Sequence, residues 1–479
     1  MGNILKRVTA AAFCAVLALT LAPIVPGNTE KAWASEGDVT VSFDGMSISC
    51  RLVVHAVETL KLYDATQATI TLNHDVDIDY GNARIDGLVE TVAIPAGSDC
   101  TLDLNGYRLR IGDRTGRQNL CIGVDGTSAA THLTIKDSSQ YKSGRILVWS
   151  ENYRPAVYVT GKQASFTLES GTIQTLSWDG SAIEQHNLAS MDIKGGNVNS
   201  PIFANSYGNL SISGGNFSKT IKVYDPRSVS ITGGKFSGKV SISEPESVSI
   251  SGGQFSAAVN ISSPKKASIS GGTLPNKLDN NYLASGCQWV PFKNGSGNVD
   301  RYGVASVQSW GAALRVDEYT KQDGTYITDK ADIRFGFGFT VPDGATIERI
   351  SYAYRYKGGT KSGVKEGPAF QVYGPDTVVP EGDVRYRAAD QQKFPVDKSD
   401  TGYVGNLIIR GIPAKAFEDV CTVRVTITYS LNGSTGTITS DEKSGSVASV
   451  AKGVRSIAGK DTASYRYVDA LLTANGYKA

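Results

Sequence analysis

The chain has 479 residues, 20% of them charged and 40% hydrophobic, with 52 Gly and 16 Pro. That composition suits a globular chain able to bury a core and excludes disordered, collagen-like and wholly membrane-embedded classes. Tyr is abundant (22) while Met (3) and His (4) are scarce, which favours turn-rich β-structure over helical bundles and leaves little imidazole for chemistry.

Lys6 and Arg7 precede an apolar run over residues 8–22, and Ala32, Trp33 and Ala34 form a small-x-small pattern ahead of Ser35. This is the layout of a secretory signal peptide over residues 1–34, since about 15 apolar residues fall short of the ~20 that span a bilayer. Its removal takes Lys6, Arg7, Lys31 and Glu30 from 48 basic and 46 acidic residues and leaves 45 of each. A neutral chain without a Lys/Arg run is not expected to bind nucleic acid or to insert into a membrane. The expected address is secreted, either extracellular or held non-covalently at the cell surface, because the C-terminus carries no sortase-type Leu-Pro-x-Thr-Gly signal.

Five cysteines remain (Cys50, Cys100, Cys121, Cys287 and Cys421), with no CxxC pair and no His spacing suited to zinc. Cys100 and Cys421 alternate with apolar residues and read as small buried hydrophobes. Disulfides between Cys50 and Cys100, or Cys100 and Cys121, stay open. No metal site or cofactor is expected.

Helical spacing over residues 52–62 predicts a cap, and residues 68–78 read as a strand. Asp75, Asp77 and Asp79 share one face, but Tyr80 stands where a calcium loop needs Gly, so a solvated strand face is favoured. Next comes a repeat. Gly-Gly pairs begin at 195, 214, 233, 252 and 271, each 19 residues after the last, and Pro226, Pro245 and Pro264 keep the same period. Phe217, Phe236 and Phe255 recur with them, as do Ile221/Val223, Val240/Ile242 and Val259/Ile261. Each unit thus reads as three short period-two strands bent at Gly-Gly, at a Ser-containing segment and at Pro. One unit cannot bury its apolar side, but stacked coils can, which predicts a parallel β-helix. Placing Leu104, Ile135, Leu168, Ile193, Ile212, Ile231, Ile250 and Ile269 in one column extends the ladder backward to eight coils, about 34 Å tall at ~4.8 Å per step.

The segments Thr101-Leu-Asp-Leu-Asn-Gly-Tyr107, Leu133-Thr-Ile-Lys-Asp-Ser138 and Leu168-Glu-Ser-Gly-Thr-Ile173, with the Ser-Ile-Ser-Gly-Gly series, resemble secreted bacterial surface proteins built on the right-handed, pectate-lyase-like parallel β-helix. The resemblance covers residues 65–275. It implies the hand of the coil but no one activity, because the superfold hosts lyases, hydrolases, esterases and non-catalytic proteins.

Past Pro275 the period stops. Strands over 312–316, 332–341, 349–356, 406–412 and 421–431 suggest a β-sandwich, closed by two amphipathic helices: Val447, Val450, Val454 and Ile457, then Tyr465, Val468, Leu471 and Leu472 with Ser464 as cap and Gly476 as stop. The expected class is all-β: a right-handed parallel β-helix followed by a β-sandwich with one or two short C-terminal helices. The expected organisation is a signal peptide (1–34), a β-helix with N-terminal cap (35–285), a transition (286–304) and the sandwich with its helices (305–479).

Aligned on Gly144, Gly171, Gly196 and Gly215, the distances to Val157, Ile183, Ile202 and Ile221 are 13, 12, 6 and 6 residues. The extra residues of the longer coils include Trp149, Glu151, Tyr153 and Arg154, then Trp178 and Asp179. They lead into a strand column whose outward positions are Tyr158, Glu184, Phe203 and Lys222, beside Thr160, His186, Asn205 and Tyr224. Aromatics next to a polar strand face suit sugar rings, so Trp149, Tyr153, Tyr158, Trp178, Phe203 and Tyr224 are the expected ligand contacts, and polysaccharide or a host-surface glycan or protein the expected partner. No catalytic motif is present. Glu184 or Asp179 with His186, and Arg154 to stabilise an anion, are the weak catalytic candidates. The leading expectation is a non-catalytic surface or extracellular protein. The alternatives are a polysaccharide lyase or glycoside hydrolase working on the long-loop face, and a structural spacer.

Overall fold

The computed structural model describes residues 37–78, 83–85, 89–112, 120–149, 155–176, 180–205, 207–316, 319–358, 361–366, 370–371, 396–399 and 402–477. The chain divides into two compact units at Ser268/Ile269. It is all-β with few helices.

The first unit is a parallel β-helix in which each coil gives one strand to each of three sheets. The first sheet begins antiparallel, with the Val39–Phe43 and Met46–Cys50 hairpin turned at Asp44–Gly45 (φ 48° and 74°) and Val39 opposite Leu72. From Gln67–Leu72 onward the pairing is parallel through Asp99–Asp103, Thr131–Lys136, Ala164–Leu168, Ser190–Ile193, Asn209–Ile212, Ser228–Ile231 and Ser247–Ile250. Helix α1 (Val53–Tyr63) buries Val53, Val54, Ala56, Val57 and Leu60 against the first strands of the stack, so it covers apolar ends of the coil that would otherwise meet water.

The 19-residue period sets the register: Ile193, Ile212, Ile231 and Ile250 pair successively and are all buried. One member of the expected column is corrected. Leu102, not Leu104, lies opposite Ile135. The strand ends at Asp103, and Leu104 already belongs to the corner turned at Asn105–Gly106 (φ 45° and 87°), where it fills the space beneath Gly144 and Gly171. The longer early coils hide this shift, because apolar alternation continues one step past the strand.

The two glycines of each repeat have different tasks. A Cβ on Gly233 would come within 2.4 Å of the Ser213 carbonyl oxygen, so the backbones of adjacent coils touch there. Gly234 has φ 102°, in the left-handed region that Gly enters without penalty. Beyond this corner Phe217, Phe236 and Phe255 stack inside the coil, with centroids 4.8 and 4.4 Å apart and rings 5° and 8° from parallel. Each buried Phe contributes about 1.5–3 kcal/mol of transfer free energy. Outside, polar side chains form matching ladders: Asn216 Nδ2 donates to Asn197 Oδ1 at 2.8 Å, and Ser228 Oγ to Asn209 Oδ1 at 2.7 Å.

The second unit is a sandwich whose two sheets share the long strand Val299–Leu314. One sheet runs from it through Lys330–Phe339 and Gly402–Pro413 to Val396–Ser399. The other runs through Cys287–Lys293, Ser434–Thr439 and Val420–Leu431 to Thr346–Gly358. Residues 286–304, expected as a transition, thus contain a paired strand, Cys287–Lys293, and the start of the long one. Phe335, Phe337, Phe339, Val423, Val425, Ile427 and Tyr429 fill the core. At the bulge between Ala331 and Ile333 the buried Asp332 carboxylate takes the Tyr319 hydroxyl and, at 2.7 Å, the Gly411 N–H. Helices α2 (Val447–Ile457) and α3 (Ala463–Ala474) close the core with Val447, Ala448, Ala451, Tyr467, Val468, Leu471 and Leu472. The cap of α3 is Thr462, whose side chain accepts from the Tyr465 N–H, rather than Ser464, which lies inside the first turn.

Candidate functional site

The third sheet of the β-helix contains Val157–Thr160, Ile183–His186, Ile202–Asn205 and Ile221–Tyr224, then Val240–Ser243 and Val259–Ser262. Val157, Ile183, Ile202 and Ile221 pair in register and are buried, which turns Tyr158, Glu184, Phe203 and Lys222 outward on consecutive rungs. Thr160 pairs with His186 and Asn205 with Tyr224 two residues further along, but Thr160, expected on the outward face, is fully buried and its hydroxyl accepts from Asn187 Nδ2 at 2.9 Å.

Tyr158, Glu184 and His186 come together. The His186 ring stacks on Tyr158 with centroids 5.2 Å apart, and its Nε2 lies 3.4 Å from Glu184 Oε2. The other carboxylate oxygen, Oε1, accepts from the Ser181 hydroxyl at 2.6 Å. Ser181 has no solvent exposure. On the next rungs the Lys222 ammonium sits 5.5 Å from the Phe203 centroid, a cation–π contact. Tyr224 is 48% exposed and presents the most open ring of this column. Trp149 follows Val148, the last residue of a second-sheet strand, so it stands at the corner leading to the third sheet rather than on that sheet's face. Tyr153, Arg154, Trp178 and Asp179 lie outside the described residues.

The order of these hydrogen bonds limits the chemistry. In a nucleophilic triad the serine hydroxyl gives its proton to the imidazole, which the carboxylate orients. Here the serine donates its one hydroxyl proton to the carboxylate and the imidazole approaches that carboxylate from its other oxygen. The Glu184 carboxylate thus lies between the Ser181 hydroxyl and the His186 ring, which is inclined by 30° to the ring of Tyr158.

Several interactions had no signal in the sequence. Ser181 lies just before the strand Ile183–His186, and the bend at Ala182 brings its hydroxyl to Glu184. Tyr207 Oη and Lys265 Nζ both donate to Glu246 Oε1, at 3.2 and 3.0 Å, and the Lys265 bond first, then that of Tyr207, holds the Glu246 carboxyl below its ordinary range. Asp75 and Asp77 face the next coil's arginines: Arg108 lies 3.4 Å from Asp75, and Arg110 donates to Asp77 at 2.7 Å. These two aspartates are thus held in ion pairs across the ladder, while Asp79 lies outside the described residues. Among the described residues Cys50, Cys100, Cys121, Cys287 and Cys421 form no disulfide with one another. Among the described residues no group of three His, Cys, Asp or Glu could hold a metal ion, and no helix is long and apolar enough to cross a membrane. No family model matches the chain, and neither a curated protein nor a solved structure matches it.

Proposed function

We propose that this is a secreted, non-catalytic extracellular protein whose β-helix offers its third-sheet face to a polysaccharide or host-surface glycan. The observation that carries the reading is the contact of Glu184 with Ser181 and His186 on a face where Tyr158 lies one coil before them and Phe203 and Tyr224 lie on the two coils after. This arrangement does not place the serine hydroxyl on the imidazole as a nucleophilic triad requires, whereas aromatic rings spaced along a stiff ladder suit contact with a chain of sugars. The leader pattern at residues 1–34 supports secretion, and the resemblance to pectate-lyase-like β-helices supports a right-handed coil.

The test uses the chain from Ser35 on a glycan array, and in parallel on uronate-rich polysaccharides assayed for new reducing ends and unsaturated products. Binding without turnover, weakened by Tyr158→Ala or Tyr224→Ala, is the expected result. Product release would replace this reading with a lyase or hydrolase, and silence in both assays with a spacer.

A further inference from the structure

The second unit carries an aromatic platform that the third-sheet reading does not use. Along Lys330–Phe339 the rings of Phe335, Phe337 and Phe339 are buried, so Arg334, Gly336 and Gly338 face outward. On the neighbouring Val299–Leu314 strand the register shifts between Ser309 and Ala312, and Trp310 sits in that bulge. Its indole lies over both glycines: a Cβ on Gly336 would come 2.8 Å from Trp310 Cε3, and one on Gly338 3.2 Å from Cζ2. A β-bulge re-aims a side chain, and here the two missing side chains let the ring settle on bare backbone. Trp310 nevertheless remains 43% exposed.

The surroundings of the ring are mixed: Val404, opposite Gly338, and Ile408, opposite Arg334, are half-buried, while the exposed neighbours are polar. Gln308 pairs with Gly338 and Asn406 with Gly336, and both are exposed, as is Arg334. An apolar peptide or lipid would leave the polar groups of Gln308, Asn406 and Arg334 without partners. A pyranose fits better: its axial C–H groups give one flat apolar face, while its equatorial hydroxyls reach amide and guanidinium groups at the rim. In the β-gluco configuration every substituent is equatorial, so either face of the ring can stack.

We propose that Trp310 is a stacking platform for a gluco-configured pyranose unit of a polysaccharide, with Gln308, Asn406 and Arg334 as the hydroxyl partners and Gly336 and Gly338 as the seat that holds the indole flat. This site stands apart from the third-sheet reading and survives its failure.

The experiment titrates the chain from Ser35 calorimetrically with cellohexaose and with chitohexaose. At least one should bind, Trp310→Ala should weaken it tenfold or more, and Gly336→Ala should weaken it similarly by lifting an intact indole. Tyr141→Ala, which removes an exposed ring that neither site uses, should leave it unchanged. Thermal midpoints of the variants within a few degrees of the parent show that the fold is kept. The proposal is overturned if neither sugar binds, if Trp310→Ala binds as tightly as the parent, or if Tyr141→Ala abolishes the binding.

Discussion

The Ser181 hydroxyl donates to Glu184 Oε1 at 2.6 Å from a position closed to solvent. That bond fixes the carboxylate before any ligand arrives and leaves Oε2 toward His186. Ser181→Ala removes a hydrogen bond to a charged group, with an expected loss of about 1.5 kcal/mol. Urea unfolding of the variant checks it, and a midpoint equal to the parent's would mean the bond adds nothing to the folded state.

Phe236 is the centre of the ring stack, with neighbours on both sides. Phe236→Ala should cost about 3–5 kcal/mol, because it leaves a cavity and removes two ring contacts. Phe236→Leu should cost markedly less by keeping most of the volume. Equal losses for the two variants in chemical denaturation would show that stacking, rather than cavity formation, dominates.

Asp137 is buried at the first corner. Burial by itself would raise its pKa, but the bonds from Ser139, Gly144 and Gly106 outweigh it and hold the carboxyl below its ordinary range. A depressed folded pKa adds stability that is complete above the unfolded value, about 4, and is lost as pH falls through the folded value. The melting temperature of the parent should therefore drop more steeply below pH 4 than that of Asp137→Asn. Parallel acid limbs would remove this carboxylate from the account.

Burial, with a smaller contribution from Asp99, pushes the Cys100 thiol up to about 12, and burial pushes Cys421 up to about 12 as well. Cys287 is raised by the same cause but is only half-buried. At pH 8 only ~1 in 10,000 of a thiol with such a pKa is thiolate, the reactive form. With the chain from Ser35, Ellman's reagent should modify Cys287 first in the native protein and all five cysteines after unfolding in guanidinium. Rapid native modification of Cys100 would contradict its place in the core.

Much of the β-helix was legible because its repeat is short and strict. Nineteen residues per coil leave no freedom in the loops, so Ile212, Ile231 and Ile250 can only stack. The early coils were less legible, since corners of unequal length carry apolar residues of their own, and Leu104 mimics a strand position that belongs to Leu102. In the candidate site, the period-two rule placed Tyr158, Glu184, Phe203 and Lys222 on one face.

What the sequence determined by itself is therefore the parallel ladder, its glycine corners and the residues that each strand turns outward, because all three follow from local alternation and a fixed period. The tertiary structure alone decided which outward residues meet. Ser181 reaches Glu184 around a bend, Arg108 and Arg110 meet Asp75 and Asp77 across coils 33 residues apart for the Arg110–Asp77 pair, and Trp310 finds Gly336 and Gly338 across a bulged register. Those contacts depend on bends, coil lengths and a register shift that exist only once the strands are paired.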